Sequence, residues 1–532
     1  MAKERVKVWG APGTGKTSFL LDIVNRELEE GLYPWDIIYT SFTRASCNET
    51  INRALQRFQY NKQDFPFFKT EHSICFRLLG LRREQVFTRR HLGEFGKRYN
   101  YSFSGDSAEP DSLEGRYQEA MLQTLADFYE FFVTYMENKM MPFNDAYREF
   151  VRSNTVPDGF TRNGLGHYIE RRIRYKDENR LWSFNDMIIG CLQQGLFPEG
   201  VKVLILDEAQ DCSKSLWELI RFWSTRVESY YIAGDPLQTL YFWSGSSPEL
   251  FFGFPGEEEV LSHSYRLTPE VKDYAERVVV PTGLPFPKFE PSQRQGSVSR
   301  KSFYSIDWQN VGDAFLLVRT RWLISQIVDY FISMGIPFVS ERGRQSPLAK
   351  GTGRAFLALL KLVDGEQVSD IELRNLIKYT RIPFLERGAK ARIRKLMEGM
   401  YRKWELGQMG FTSAFMEALY GNFTDVLCQD VDDWEKAYLH RIYRKNGREV
   451  FERESQLRVL TYHAAKGREA SQVYLCPDYT TTVWESFLKG GGLSERLLSY
   501  VGITRAVDNL IILLPQRDFS FPYPRINAGG GK

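Results

Sequence analysis

The sequence predicts an α/β protein with two parallel-sheet cores, each interrupted by a mainly helical insertion. Short, continuously apolar segments alternate with helical patterns, which is typical of strands buried on both faces of a parallel sheet. These segments fall into two sets, which indicates two sheets. The predicted strands are Arg5–Trp9, Asp36–Thr40, Val201–Leu206 and Ser229–Ala233, then Phe315–Val318, Leu457–Leu460, Gln472–Leu475 and Leu510–Leu514.

Helical patterns between the strands set the predicted domain boundaries. A stretch rich in Pro, Ser and Gln, Pro281–Arg300, is predicted to be a linker or loop. The predicted domains are residues 1–90 and 181–266 (first core), 91–180 (its helical insertion), 267–349 and 456–532 (second core) and 350–455 (a short helical accessory insertion).

Composition excludes several classes of protein. Hydrophobic residues make up 43% and charged residues 26% of the 532 residues, as in ordinary globular proteins. A net charge of +3 excludes a histone-like wrapping protein but leaves room for a local basic groove. Six scattered cysteines without a CxxC pair give no support to a metal cluster, and they favour free thiols in the cytoplasm. No secretory signal or membrane-spanning apolar run is expected.

A glycine-rich loop follows the first predicted strand and precedes a helical pattern. It reads GAPGTGKT and matches GxxxxGK[ST], in which glycines let backbone N–H groups surround phosphate oxygens. Lys16 would neutralise the phosphate charge and the Thr17 hydroxyl would bind Mg²⁺. The predicted nucleotide contacts are Gly10, Ala11, Pro12, Gly13, Thr14, Gly15, Lys16, Thr17 and Ser18.

A second signature is an apolar strand that ends in adjacent carboxylates, in the sequence LILDEAQD at Leu204–Asp211. Asp207 would hold Mg²⁺ together with Thr17, and Glu208 would orient or deprotonate the attacking water. An acidic strand end alone is usually a solvated loop. Together with the phosphate loop, it predicts a nucleoside triphosphatase.

Further segments occur in a fixed order along nearly the whole chain, and with LDEAQD they resemble the motifs of superfamily 1 DNA helicases of the UvrD/Rep/PcrA group. This resemblance implies two RecA-like P-loop NTPase cores, ATP and Mg²⁺ as cofactors, and 3′→5′ movement on single-stranded DNA. The further segments are TSFTRA from Thr40, TEHS from Thr70, FNDM from Phe184, GDPLQTLYFWSG from Gly234, SYR from Ser264, TYHAAKGRE from Thr461 and YVGITRA from Tyr500.

The resemblance also implies roles at the nucleotide. Gln238 would connect the γ-phosphate to the DNA-binding loop. Arg266 and Arg505 would act as arginine fingers, supplied by the second core, that stabilise charge on the transferring phosphoryl group. Tyr265 would stack on adenine. Gly467 and Glu469 are also implied nucleotide contacts, with Glu469 at the ribose.

Contacts to single-stranded DNA are implied by the same motifs. Aromatic rings would stack on bases, which suits a translocase because every base has a π-face, and polar groups would hold the backbone. For each ring, ordinary core packing is the alternative. The implied DNA-binding residues are Phe42, Thr43, His72, Tyr241, Trp243 and His463.

The chain departs from the family at the elements that usually contact adenine. No Gln precedes Gly10, and Ser18 stands where the family commonly has Arg. These departures predict weaker discrimination of ATP from other nucleoside triphosphates.

Three functions remain open from the sequence. The leading hypothesis is a monomeric DNA helicase and translocase acting on single-stranded DNA and its junctions with duplex, with a protein loading partner left open. The alternative is a nucleotide-gated, DNA-binding subunit of a nuclease or of a replication or repair complex, and a third is an RNA helicase. Two basic clusters, Lys378–Lys403 and Arg171–Lys176, are either solvated helix faces or contacts to duplex phosphates.

Overall fold

A computed structural model describes residues 4–41, 44–104, 124–154, 156–340, 345–389, 391, 403–404, 410–421, 423–427, 431–453 and 455–526. The chain divides into two compact units. The first comprises Met1–Ser297 and Thr480–Thr504, and the second comprises Val298–Tyr479 and Arg505–Lys532. The segment Thr480–Thr504 thus groups with the first unit, whereas the sequence assigned all of 456–532 to the second core.

A five-stranded parallel sheet forms the centre of the first unit. Its strand order is β2-β3-β4-β1-β5, so the phosphate-loop strand β1 lies between β4 and β5. The four predicted strands are present, and β5 was missed because its exposed glutamates give no apolar pattern. The strands are β1 (Arg5–Trp9), β2 (Ile37–Ser41), β3 (Val203–Asp207), β4 (Ser229–Gly234) and β5 (Glu257–Val260).

The second unit contains a six-stranded sheet with the order β6-β13-β12-β7-β11-β8. The pairs from β13 to β8 are parallel, which confirms the α/β class with two parallel sheets. The predicted loop Pro281–Arg300 is wrong at its end, because its last residues form the polar edge strand β6. The strands are β6 (Ser297–Lys301), β7 (Ala314–Val318), β8 (Val339–Ser340), β11 (Leu457–Thr461), β12 (Ala470–Leu475) and β13 (Ala506–Leu513); β9 (Val368–Ser369) and β10 (Lys403–Trp404) form a separate antiparallel pair.

Helices cover the sheets and make up most of the regular structure among the described residues of both predicted insertions. Among the described residues, no helix is both long and apolar enough to cross a membrane. In the first unit the α-helices are Lys16–Glu29, Arg44–Arg57, Glu71–Leu78, Arg89–Tyr99, Leu125–Asn138, Phe143–Ser153, Arg162–Asn179, Phe184–Gln194, Lys214–Ser224, Pro248–Phe252, Pro269–Val279, Thr481–Ser486 and Gly492–Ile503. In the second they are Arg321–Met334, Gly351–Val363, Asp370–Tyr379, Ser413–Tyr420, Asp433–Asn446 and Glu449–Glu452.

The helices of the first insertion pack around an aromatic core. Phe95, Phe132, Phe150 and Tyr168 are fully buried there. Their rings meet mostly edge to face at centroid distances such as 5.3 Å between Phe132 and Phe150. This core therefore accounts for part of the high aromatic content of the chain.

The basic cluster Arg171–Lys176 proves to be two different faces of one helix. Arg172 is buried and donates from Nε and Nη2 to Glu130, both at 2.8 Å. Lys176 is also buried and pairs with Asp186 at 2.6 Å. Residues four apart share a face, so these two cations hold the insertion together and are not available to DNA phosphates. Five of the nine basic residues of the Lys378–Lys403 cluster lie outside the described residues: Lys390, Arg392, Arg394, Lys395 and Arg402.

Candidate active site

The phosphate loop lies between β1 and the helix Lys16–Glu29. Gly13 and Gly15 have φ angles of 75° and 78°, a left-handed backbone conformation that residues with a Cβ rarely adopt. At Gly10, a Cβ would lie 2.2 Å from Lys16 Cγ. Lys16 Nζ donates to the Gly10 carbonyl at 2.9 Å, which keeps the ammonium at the loop. The loop places this cation beside the N-terminal N–H groups of a 14-residue helix, an arrangement suited to an anion.

Asp207, the last residue of β3, meets the phosphate loop directly. Thr17 Oγ1 and the Tyr39 hydroxyl donate to Asp207 Oδ2 at 3.0 and 3.1 Å. Burial, and then the nearby charge of Glu208, raises the pKa of the Asp207 carboxyl to about 6, although Lys16 and Thr17 favour its ionised form. A buried carboxylate that touches the loop hydroxyl fits Mg²⁺, which would supply the positive charge that this carboxylate needs. Thr17 and Asp207 are the residues that would hold the ion.

Glu208 has a strained backbone. Its φ of 56° and ψ of 39° lie in the left-handed region, which costs a non-glycine residue on the order of 1 kcal/mol. Gln210 Nε2 donates a short hydrogen bond to the Glu208 carboxylate. Glu208 thus has a strained backbone, and a neighbouring amide holds its carboxylate beside the candidate metal ligand. This is the arrangement expected of a general base.

Gln238 lies next to this group through a buried hydrogen-bond chain. Its Nε2 donates to Asp235 Oδ2 at 2.9 Å, and the Asp235 backbone N–H donates to Gln210 Oε1 at 3.0 Å. Gln210 and Asp235 were not singled out from the sequence, although both lie inside quoted motifs. Polar side chains directly after the apolar strands β3 and β4 were the available signal.

The segment Ser264–Arg266 is fixed to the phosphate loop. Ser264 Oγ donates to the Pro12 carbonyl at 2.7 Å, and the Tyr265 N–H donates to the Gly13 carbonyl at 2.9 Å. Tyr265 is 68% exposed, and its ring meets that of His263 edge to face at 4.7 Å. Adenine stacking by Tyr265 stays a prediction. The expectation that Arg266 comes from the second core is wrong, because these hydrogen bonds hold its segment in the first unit.

Within the second unit, Arg505 directly precedes β13. Its side chain is 2% exposed, and Nη1 donates to the Arg468 carbonyl at 3.3 Å. Gly467, with φ of 76°, and Glu469 are both exposed in the connection from β11 to β12. Their nucleotide contacts and the finger role of Arg505 stay predictions.

His463 lies in the same connection. Burial, followed by the charges of Arg319 and Lys466, lowers its pKa to about 3. The ring is therefore neutral at physiological pH and would contact DNA by hydrogen bonding rather than by charge.

The aromatic DNA-binding candidates of the first unit pack against protein rings. Tyr241 is buried and lies edge-on to Trp243 at 6.1 Å, and Trp243 lies 6.0 Å from Phe131 in the aromatic core of the insertion. The His72 ring lies 5.3 Å from that of Phe184. Trp243 keeps part of its surface exposed, so it is still able to contact a base. Base stacking by Trp243 stays a prediction. The remaining two candidates, Phe42 and Thr43, lie outside the described residues.

Glu71, immediately before His72, is a fully buried carboxyl. Among the described residues neither oxygen has a hydrogen bond of ordinary geometry, although the Thr40 hydroxyl lies close enough to favour the ionised form. Burial raises its pKa from 4.5 to about 7. The unfolded chain ionises this group at lower pH than the folded chain does, so stability is lost as pH rises from about 4.5 to about 7.

We expect a Glu71→Gln variant to lose this pH dependence. At 1.36 kcal/mol per pH unit, the pKa difference corresponds to about 3 kcal/mol. The free energy of unfolding of the wild type should fall by this amount relative to that of the variant between pH 4.5 and pH 8. Thermal unfolding at several pH values measures the difference. The exposed Glu84→Gln is the control and should follow the wild type. If stability changed with pH in the same way for the wild type and Glu71→Gln, the raised pKa of Glu71 would be contradicted.

The family described as UvrD/REP helicase N-terminal domain matches residues 1–257. The N-terminal part of the chain is thus similar to UvrD/PcrA-like helicases of superfamily 1. The matched residues include the phosphate loop, Asp207, Glu208 and Gln238.

Three relatives show how far the similarity extends. A probable DNA helicase of Mycoplasma pneumoniae is 24% identical over 62% of this chain and 62% of its own length. ATP-dependent DNA helicase PcrA of Staphylococcus aureus is 20% identical over 51% of this chain and 37% of its own length. Gabija protein GajB of Bacillus cereus is 23% identical over 67% of this chain and 72% of its own length. The chain thus spans less than two thirds of the length of each of the first two relatives.

Proposed function

We propose that this protein is an ATP-dependent single-stranded DNA translocase and DNA helicase that moves 3′→5′. The observation that carries the proposal is the contact between Thr17 and Asp207 beside the strained Glu208. Such a site suits a magnesium-bound nucleoside triphosphate and the activation of water. Two of the relatives are named as DNA helicases, which supports DNA as the polymer.

Each residue of the site has a defined part in this proposal. Lys16 and the loop N–H groups neutralise phosphate charge, while Thr17 and Asp207 hold the Mg²⁺ that binds with ATP. Glu208 accepts the proton of the attacking water. Gln238 forms a hydrogen bond to the γ-phosphate. Gain or loss of this hydrogen bond changes the position of Tyr241 and Trp243, which follow in the same motif.

The DNA side of the proposal rests on stacking and on neutral polar contacts. A stacked base contributes on the order of 1–3 kcal/mol without sequence preference, which a translocating protein requires. Trp243 is the ring that combines partial exposure with a position five residues after Gln238 in the same motif. The neutral His463 would bind the DNA backbone through hydrogen bonds.

Strand displacement on a duplex with a 3′ tail, a 5′ tail or no tail tests the proposal. The pure protein with ATP and Mg²⁺ should displace the strand of the 3′-tailed duplex and leave the blunt duplex intact. Displacement confined to the 5′-tailed duplex would overturn the direction. ATPase stimulation by single-stranded DNA and RNA, measured in parallel, separates a DNA from an RNA helicase.

A nucleotide-gated subunit of a nuclease or of a replication or repair complex is the second candidate. The feature that favours it is the short accessory insertion predicted for residues 350–455. DNA-stimulated ATPase without any strand displacement by the protein alone would support this candidate.

A further inference from the structure

We propose that Tyr500 is a positioning residue of the ATPase site, which orients Gln238 through the buried carboxylate of Asp235. The inference rests on the proposed function and names a further residue on which its hydrolysis step depends. Tyr500 lies on the helix Gly492–Ile503, more than 260 residues away from Asp235 in the sequence.

The carboxylate of Asp235 collects four hydrogen bonds. Oδ1 accepts from Trp9 Nε1 at 3.3 Å and from the Leu237 N–H at 3.1 Å. Oδ2 accepts from Gln238 Nε2 at 2.9 Å and from the Tyr500 hydroxyl at 3.1 Å. Asp235 and Tyr500 are both fully buried, so water does not compete for these donors. The sensor amide and the tyrosine hydroxyl therefore share one oxygen atom.

Asp235 is connected to the phosphate loop, to the proposed base and to the sensor amide. Trp9 directly precedes Gly10 of the phosphate loop, and the Asp235 N–H donates to Gln210, which in turn donates to Glu208. A Cβ on the preceding Gly234 would lie 2.7 Å from Gln210 Oε1, so this connection also depends on close backbone approach. Tyr500 thus contacts a group that joins the loop, the base and the sensor.

The helix that carries Tyr500 has other attachments to the first unit. It packs against Pro269–Val279 and Pro236–Gln238, and Arg496 Nη1 donates to the Val278 carbonyl at 3.4 Å. The Tyr500 ring also lies edge-on to Phe286 at 6.3 Å. Loss of the hydroxyl alone should therefore leave the helix in place while it removes one donor from Asp235.

A defined kinetic signature follows from this geometry. The Gln238 amide has two N–H groups, one of which is used by Asp235. If Asp235 loses the Tyr500 donor, its carboxylate and the attached Gln238 amide gain rotational freedom, so the amide is less often oriented towards the γ-phosphate. Nucleotide binding depends on the phosphate loop and should not change, whereas turnover should fall.

The experiment compares Tyr500→Phe with Tyr230→Phe, which removes a buried hydroxyl that donates to the Pro255 carbonyl at 3.0 Å in the same unit. With saturating single-stranded DNA, we expect Tyr500→Phe to lower kcat about tenfold with KM for ATP within about twofold of wild type. Tyr230→Phe should keep the wild-type kcat. Equal kcat values for the two variants at equal Tm would overturn the inference.

A double-variant cycle with Asp235→Asn provides a second, independent test. If Tyr500 acts through Asp235, the combined variant should be no slower than Asp235→Asn alone. Multiplied losses in the combined variant would show that Tyr500 acts by another route and would reject the inference. Failure of the proposed function looks different, since the wild type itself would then show no ATPase that depends on Lys16.

Discussion

Replacement of Lys16 by alanine should lower the DNA-stimulated ATPase at least about 100-fold and leave binding of single-stranded DNA within about twofold. Lys16 Nζ is the cation of the phosphate loop, and a 2.9 Å hydrogen bond to the Gly10 carbonyl keeps it there. Alanine removes the positive charge that stabilises the transferring phosphoryl group. The residues proposed to bind DNA are elsewhere, so the two activities should separate.

The measurement combines phosphate release with fluorescence anisotropy of labelled single-stranded DNA. Lys62→Ala is the matched control, since Lys62 is an exposed lysine of the same unit. This control should match the wild type in both assays. If the Lys16→Ala protein retained its ATPase, the assignment of the hydrolysis site to this loop would be wrong.

Replacement of Glu208 by glutamine should lower kcat about 10²–10⁴-fold with little change in nucleotide affinity. Glutamine has nearly the same shape but cannot accept a proton from water. The left-handed backbone at this position and the hydrogen bond from Gln210 do not require a charge, so the local structure should persist. Asp207 stays available for Mg²⁺.

Single-turnover hydrolysis and binding of a fluorescent ATP analogue separate the two effects. The exposed Glu228→Gln of the same unit serves as the control and should behave as wild type. A loss of less than about tenfold in Glu208→Gln would assign the general base to another group. A loss of nucleotide binding would instead assign Glu208 to the metal site.

The sequence predicted the fold well where apolar patterns are strong. All eight predicted strands exist, because buried parallel strands must be apolar along their whole length. Strands β5 and β6 were missed since both lie at sheet edges, where polar residues are tolerated. The basic cluster at Arg172 was interpreted from charge alone, and burial opposite Glu130 reverses the interpretation of that residue.

The candidate site divides in the same way. The loop Gly10–Thr17 and the pair Asp207 and Glu208 were recognisable because phosphate and metal chemistry restricts which residues occur at fixed, short spacings. The left-handed backbone of Glu208 and the raised pKa of Asp207 depend on packing, so the local sequence does not predict them. Arg266 was expected in the second core, and backbone hydrogen bonds to the phosphate loop assign its segment to the first unit.

Two parallel α/β cores, a phosphate loop and an acidic strand end are predictable from the sequence, since each follows from local periodicity or short spacing. The folded chain brings Tyr39 and Thr17 to one oxygen of Asp207, and Gln238 and Tyr500 to one oxygen of Asp235. Contacts between residues separated by up to 265 positions arise from sheet order and helix packing. Those are properties of the folded chain as a whole, and they place the groups on which hydrolysis depends.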